Sequence, residues 1–194
     1  EIPTLTWIGH ATLLIQIKGV NILTDPHLTQ RASPFSFAGP KRYTAPGLLI
    51  EDLPIIDLIL ISHNHYDSLD KLTIKTLYER QPDKHPKIFV PLKLKQWFLD
   101  LGIKNVTELD WKESAKFGEW EIHAVPVQHW SSRTPFDRNK TLWAGWVLEA
   151  EGFRFFFAGD TGYSKDFKNL GDQFGQFDLA AIPIGAYEPR WFMK

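Results

Sequence analysis

The chain opens with alternating apolar and polar positions. Leu5 and Trp7 interleave with Thr4 and Thr6, so Thr4–Ile8 predicts a strand. Ala11–Ile17 predicts a second strand. Lys18-Gly19-Val20-Asn21 has the composition of a tight hairpin turn, and Asn21–Thr24 pairs back until Asp25-Pro26 stops it. The segment RASPFSFAGPKRYTAPG, Arg31 to Gly47, has three prolines, two glycines and no period, so it reads as a long loop of the kind that often carries function. Ile55–Ser62 is an almost unbroken apolar run, the mark of a strand covered on both faces. Leu69–Arg80 places Leu72, Leu77 and Tyr78 at helical spacing. Lys87–Val90 predicts a strand, Leu92–Leu101 a helix stopped by Gly102, and Val106–Leu109 another strand.

From Lys116 the pattern changes to hairpins. Trp120–Gln128, Thr141–Glu149 and Phe153–Ala158 predict strands, the last two joined by Ala150-Glu151-Gly152. Leu179–Ile184 predicts a further buried strand, and the final GAYEPRWFMK reads as a loop after it, with no helix to close the unit. The order is hairpins, then βαβα, then hairpins, then βα-type pieces. It predicts one α+β domain over residues 1–194, cut short at its C-terminus. There is no internal repeat and no low-complexity segment.

Composition narrows the function classes. The 194 residues suffice for a sizeable core, and a formal net charge of −1 provides no field to recruit nucleic acid. Cysteine is absent, which excludes disulfides, thiolate metal sites and a cysteine nucleophile. No apolar run reaches the length of a membrane-spanning helix. EIPTLTW has neither the basic start nor the apolar segment of a signal peptide, so the expected location is cytoplasmic, with peripheral membrane association as the variant. The 8 Trp and 14 Phe residues predict a ring-rich core, with an apolar substrate surface as the competing reading.

The candidate chemistry begins at ISHNHYDSLD, Ile61 to Asp70. Alternate residues of an extended segment point the same way, so His63, His65 and Asp67 can converge at the mouth of the preceding strand, with Ser68 close by. Imidazole and carboxylate together suit zinc, and also iron or manganese. Two other stretches have the same form. Val125-Pro126-Val127-Gln128-His129 is a strand ending on a histidine, and Phe155–Gly162 is a buried strand ending on Asp160 in a glycine-flanked turn. A polar loop with satisfied histidines is the competing reading for each stretch alone. Of the remaining histidines, His10 reads as structural, as pocket-lining or as a support behind the metal ligands, and His27 as structural or pocket wall. His85 reads as solvated, and His123 as a satisfied partner within a strand.

These motifs, in this order, resemble the metallo-β-lactamase superfamily: WIGHATLLI, ILTDP, HNHYD, HWSSRTPFDRNKTLWAGWVLE and FAGDTGYSKDF. Within it they look closest to the branch containing N-acyl-phosphatidylethanolamine-hydrolysing phospholipase D; the sugar-acid lactonases are a more distant cousin. The resemblance implies a four-layer αβ/βα sandwich. It also implies a first metal site at His63, His65 and His129, a carboxylate bridging two metals at Asp160, a second-site ligand at Asp67, and Asp25 orienting a metal-bound histidine. The family pattern has a histidine where Ser68 stands and another well after GDTG, whereas no histidine follows His129 here. One tightly held Zn2+ and a weak second site, helped at most by Ser68, are therefore expected.

The implied activity is that of a zinc-dependent hydrolase, favoured as a phospholipase D-like phosphodiesterase acting through a metal-held hydroxide. Asp67 and Asp160 are its catalytic carboxylates, and a small molecule or lipid is the substrate. A lactonase or carboxylic ester hydrolase is the first alternative, and a non-catalytic metal-binding or interaction domain the second. Phe35, Phe37 and Tyr43 beside Arg31, Lys41 and Arg42, and Trp130, Phe136 and Trp143 beside Arg133, Arg138 and Lys140, offer rings for acyl chains and cations for phosphate. Ordinary surface loops with buried anchors are the competing reading.

Overall fold

Lys18 and Gly19 both take positive φ, 50° and 73°, the geometry that lets a two-residue turn join twisted antiparallel strands. They connect β2 (Thr12–Ile17) to β3 (Val20–Thr24), and β2 also pairs antiparallel with β1 (Thr4–Gly9). The computed structural model describes residues 2–185. Beyond the hairpins the first sheet continues in parallel through β4 (Leu58–Leu60), β5 (Lys87–Pro91) and β6 (Val106–Leu109), giving the order β1-β2-β3-β4-β5-β6. The crossovers are α1 (Lys71–Glu79) and α2 (Lys95–Leu99). Asp70 caps α1 by accepting from Leu72 N, and Gly102 at φ 79° follows α2.

The second sheet has the order β11-β10-β9-β8-β7. Its strands are β7 (Ser114–Phe117), β8 (Trp120–Val125), β9 (Gly145–Ala150), β10 (Phe153–Phe157) and β11 (Leu179–Ala181), antiparallel except for the parallel β10–β11 pair. The helix α3 (Asp166–Phe174) is the crossover of that pair.

Alternation along the strands sorts side chains into three apolar layers. Ile15, Ile22, Leu58, Leu60 and Phe89 face Trp120, Ile122, Trp146, Leu148 and Phe155 between the sheets. On the outer face of the first sheet, Leu23, Ile59, Ile61 and Ile88 meet Ile74 and Leu77 of α1 and Phe98 of α2. On the outer face of the second, Val125, Val147 and Phe156 meet Leu170 and Phe174 of α3. The result is the four-layer αβ/βα sandwich of the metallo-β-lactamase fold.

Several elements differ from the expectation. The eight-residue strand Ile55–Ser62 shrinks to the three residues of β4, although Asp57 N and Ile61 N still bond to Asn21 O and Phe89 O. The apolar run reports burial, and ladder pairing covers only its middle. The helices Leu69–Arg80 and Leu92–Leu101 are shorter at both ends. Leu179–Ile184 is not a buried strand: β11 ends at Ala181, Ala180 is exposed, and Ile184 is 92% exposed. The C-terminal loop expectation lies, from residue 186 onward, outside the described residues. The short 3-10 turn Ile50–Asp52, β7 and α3 had no individual expectation, although Phe167, Leu170 and Phe174 carry the helical spacing of α3.

Candidate metal centre

His63 and His65 follow β4, the second at the start of a turn, and their rings meet at one point through different nitrogens. His63 Nε2 lies 2.8 Å from His65 Nδ1. His129, which follows β8, brings its Nε2 to 3.1 Å from the first and 3.3 Å from the second. Four-coordinate zinc with Zn–N bonds of about 2.0–2.1 Å separates its ligand atoms by about 3.3 Å, so the three nitrogens stand close to the edges of such a tetrahedron. Burial lowers the pKa of all three rings, that of His129 to about 4, so they are neutral at pH 7. Neutral imidazoles can each turn a nitrogen lone pair to a shared cation. The donor set and spacing fit a metal ion.

A relay fixes the His63 ring. Ser62 N donates to Asp25 Oδ1 at 2.7 Å, Ser62 Oγ bonds to Asp25 Oδ2, and Ser62 Oγ lies 2.8 Å from His63 Nδ1. With the carboxylate ionised, the hydroxyl donates to Asp25 and accepts Nδ1–H of His63, which leaves the Nε2 lone pair aimed at the centre. Asp25 is fully buried, and burial drives its pKa well up against the pull of the Ser62 donors; a cation beside His63 favours the ionised form. Asp25 thus lies one hydroxyl removed from the histidine, and Ser62 is a link the sequence reading missed.

The loops that carry these groups interlock. Gly159 takes φ 60°, and a Cβ there would stand 2.7 Å from Ser62 Cβ, so only glycine lets the Asp160 turn sit on the relay. Gly162 N donates to Gln128 O at 2.7 Å and Gln128 N to Thr161 Oγ1 at 3.0 Å, tying that turn to the residue before His129. Ala144 N donates to Ser62 O and Trp146 Nε1 to Ile61 O, each bond crossing between the sheets.

A second group adjoins the first. Asp160 Oδ2 lies 3.9 Å from His63 Nε2 and 3.5 Å from His10 Nε2, and His10 Nε2 lies 3.4 Å from Asp67 Oδ2. One ligand atom from each of His10, Asp67 and Asp160 falls within 4.8 Å of the other two. Burial pushes the Asp160 pKa up, but the hydrogen bond to His10 and the nearby imidazoles outweigh it and hold the carboxyl at about 2. The bond to Asp160 likewise raises His10 to about 9, against the effect of burial.

His10, which the sequence left open among structural, pocket-lining and supporting readings, stands in this second group beside Asp67 and Asp160. Its signal was present, since it too is a histidine at a strand end. Ser68 is fully buried, its Oγ has no hydrogen-bond partner among the described residues, and its N–H closes a turn onto His65 O at 3.2 Å. His85 is stacked on Tyr78 with centroids 3.7 Å apart, contrary to the solvated reading. His27 is buried against Arg42, and His123 Nε2 lies 3.0 Å from Glu149 Oε2 but makes no hydrogen bond among the described residues, so the reading of His123 as a satisfied partner is not met.

The loop cations divide into two sets. Arg133 Nη1 donates to Asn64 O and Leu69 O, both at 2.8 Å, and its guanidinium lies over Tyr66 at 4.0 Å. Arg42 donates to Thr29 O and His27 O, and Arg31 to Gly39 O. These contacts tie all three guanidinium groups to loop carbonyl oxygens. Trp130 packs edge-on against His65 at 4.3 Å, with Arg138 4.8 Å above it, and is 40% exposed at the rim. Phe35, Phe37, Tyr43 and Phe136 are exposed.

Comparison with known proteins follows the same line. Residues 20–194 match the family described as "Beta-lactamase superfamily domain". N-acyl-phosphatidylethanolamine-hydrolyzing phospholipase D 1 of Caenorhabditis elegans is 49% identical over 97% of this chain and 55% of its own length. The mitochondrial protein of that name from Saccharomyces cerevisiae is 37% identical over 97% of this chain and 41% of its own length. The chain therefore spans about half the length of these curated relatives. The solved structure of Igni18, a metallo hydrolase from Ignicoccus hospitalis, superposes with a TM-score of 0.69 at 21% identity, covering 95% of this chain and 72% of that one, which supports the fold.

Proposed function

Because this chain belongs to the beta-lactamase superfamily, we propose that it forms a single domain of a metal-dependent hydrolase whose first ion, zinc, is held by His63, His65 and His129. The observation that carries the reading is the meeting of three neutral imidazole nitrogens within 3.3 Å of one another. When bound, the ion supplies Lewis-acid polarisation of a phosphoryl or carbonyl group and acidifies water. The chain's own residues do the rest. Ser62 and Asp25 hold the His63 ring. With only the first ion bound, Asp67, whose side chain is 38% exposed, can hold an attacking water by hydrogen bond or accept its proton. Asp160 stands between the two groups of ligand atoms and orients both.

The substrate class is a phosphodiester lipid of the N-acyl-phosphatidylethanolamine type. Water adds to phosphorus, the bond to the ethanolamine oxygen breaks, and phosphatidic acid and an N-acylethanolamine leave. The names and identities of the worm and yeast relatives support this choice. So do the exposed rings of Phe35, Phe37 and Phe136, with Lys41, Arg138 and Lys140 as the cations not engaged as loop braces.

The test is a paired assay of the zinc-loaded protein on vesicles carrying such a lipid and on a sugar-acid lactone. We expect lipid cleavage, lost by more than 100-fold together with the zinc in His129→Ala. Turnover of the lactone alone moves the protein to carbonyl chemistry. Zinc retained at full stoichiometry in His129→Ala defeats the ligand assignment.

A further inference from the structure

We propose that His10 completes a second cation site with Asp67 and Asp160, taking the place of the imidazole that Ser68 cannot supply. The inference rests on the first-site reading above and adds a ligand to it.

Three independent segments deliver the set. His10 comes from the end of β1, Asp67 from the loop after β4 and Asp160 from the turn after β10. Their ligand atoms stand 3.4 and 3.5 Å from the imidazole nitrogen, close enough for one ion to touch all three. Asp160 Oδ2 is also 3.9 Å from His63 Nε2, so one carboxylate reaches both groups and an ion in each would share it. The presentation of His10 is built into the backbone. His10 sits at φ 48°, Trp7 Nε1 donates to His10 O at 2.9 Å, and Gly47 N donates to Ile8 O at 2.7 Å, so the GHAT turn is held from both sides.

Ser68 makes the case from the opposite direction. Its hydroxyl is buried with no hydrogen-bond partner among the described residues, and the ligand atoms of His10, Asp67 and Asp160 come together without it. One imidazole and two carboxylates form a harder donor set than three imidazoles. The second site should therefore accept Mn2+ readily while the first retains Zn2+.

The experiment uses full-length protein loaded with one equivalent of Zn2+ and titrated with Mn2+, with free Mn2+ read by electron paramagnetic resonance. Wild type is expected to take up one Mn2+. Asparagine tolerates the left-handed backbone of position 10, so His10→Asn should keep the fold and weaken Mn2+ uptake at least 10-fold, leaving zinc content at one equivalent. Ser68→Ala should leave Mn2+ affinity unchanged. Thermal melting of each metal-free variant checks folding, and His10→Ala gives a second reading should His10→Asn melt early. Uptake of Mn2+ by both His10 variants with wild-type affinity overturns the proposal, as does the absence of uptake by wild type. Loss of Mn2+ affinity in Ser68→Ala with none in His10→Asn also overturns it. Failure of wild type to hold the first Zn2+ is a different result, and it overturns the first-site reading as well.

Discussion

Ser62 couples a buried carboxylate to a ring that must keep one nitrogen bare. Replacing it with alanine removes the hydroxyl that links Asp25 Oδ2 to His63 Nδ1, and leaves the Asp25 carboxyl only the backbone N–H of position 62 from this pair of donors. We expect Ser62→Ala to weaken zinc binding by about 10–100-fold and to lower stability by about 1–3 kcal/mol. Chelator competition and denaturant unfolding measure the two effects. Unchanged zinc affinity would show that the relay does not orient His63. At this scale the sequence was informative about ligands and poor about their supports. His63, His65, His129 and Asp160 announce themselves because each ends or follows an apolar run. Ser62 gives no such signal, since a serine before two histidines looks like any polar loop residue. His10 did carry the strand-end signal, but a lone histidine without a spaced partner could not be told from a structural one. Its partners, Asp67 and Asp160, lie 57 and 150 positions away, so only the folded chain brings them together.

At the scale of elements, the segment from His63 to Asp70 is a short loop that must hold three side chains still. Arg133 performs much of that task from a loop of the second sheet, through two hydrogen bonds to carbonyl oxygens and stacking on Tyr66. Asp70 anchors the other end by capping α1 and accepting from Thr29 N and Thr73 Oγ1. Arg133→Met is therefore expected to lower stability by about 2 kcal/mol and to weaken zinc binding. Arg133→Lys should not restore either, because the ammonium lacks the planar fork. A substrate phosphate ligand would behave otherwise, raising KM with stability and zinc content intact, so unfolding curves and zinc titration beside a KM measurement separate the two roles. Element types were legible wherever an apolar face repeats, as in β1, β2 and α1. Lengths were not. The run Ile55–Ser62 is apolar throughout because both faces are covered, but only Leu58–Leu60 pairs in register on both sides. Leu179–Ile184 misled in the opposite sense, since its apolar residues extend past the last paired position into exposure.

The whole molecule places the proposed ions where the two sheets meet. His63, His65 and Asp67 follow β4 of the first sheet, and His10 follows β1 of the same sheet; His129 and Asp160 follow β8 and β10 of the second. An ion held by both sets links the layers at one edge, where the carbonyls of Ile61 and Ser62 already accept bonds from β9 and the residue before it. Metal binding is then part of the folding free energy of both sheets. An ion present at a thousand times its dissociation constant adds about 4 kcal/mol, which for a domain of this size amounts to a rise in Tm on the order of 10 °C. Removing metal with a chelator should lower Tm by that amount as one cooperative step, with loss of amide protection at the ends of β4, β8 and β10 together. Differential scanning calorimetry and hydrogen exchange, with and without added Zn2+, measure it. A chelated protein that melts at the same temperature would mean that the ligands do not tie the sheets together. Loss of protection around His63 alone would confine the site to the loop after β4, leaving His129 and Asp160 outside the coordination that the four-layer architecture brings within reach.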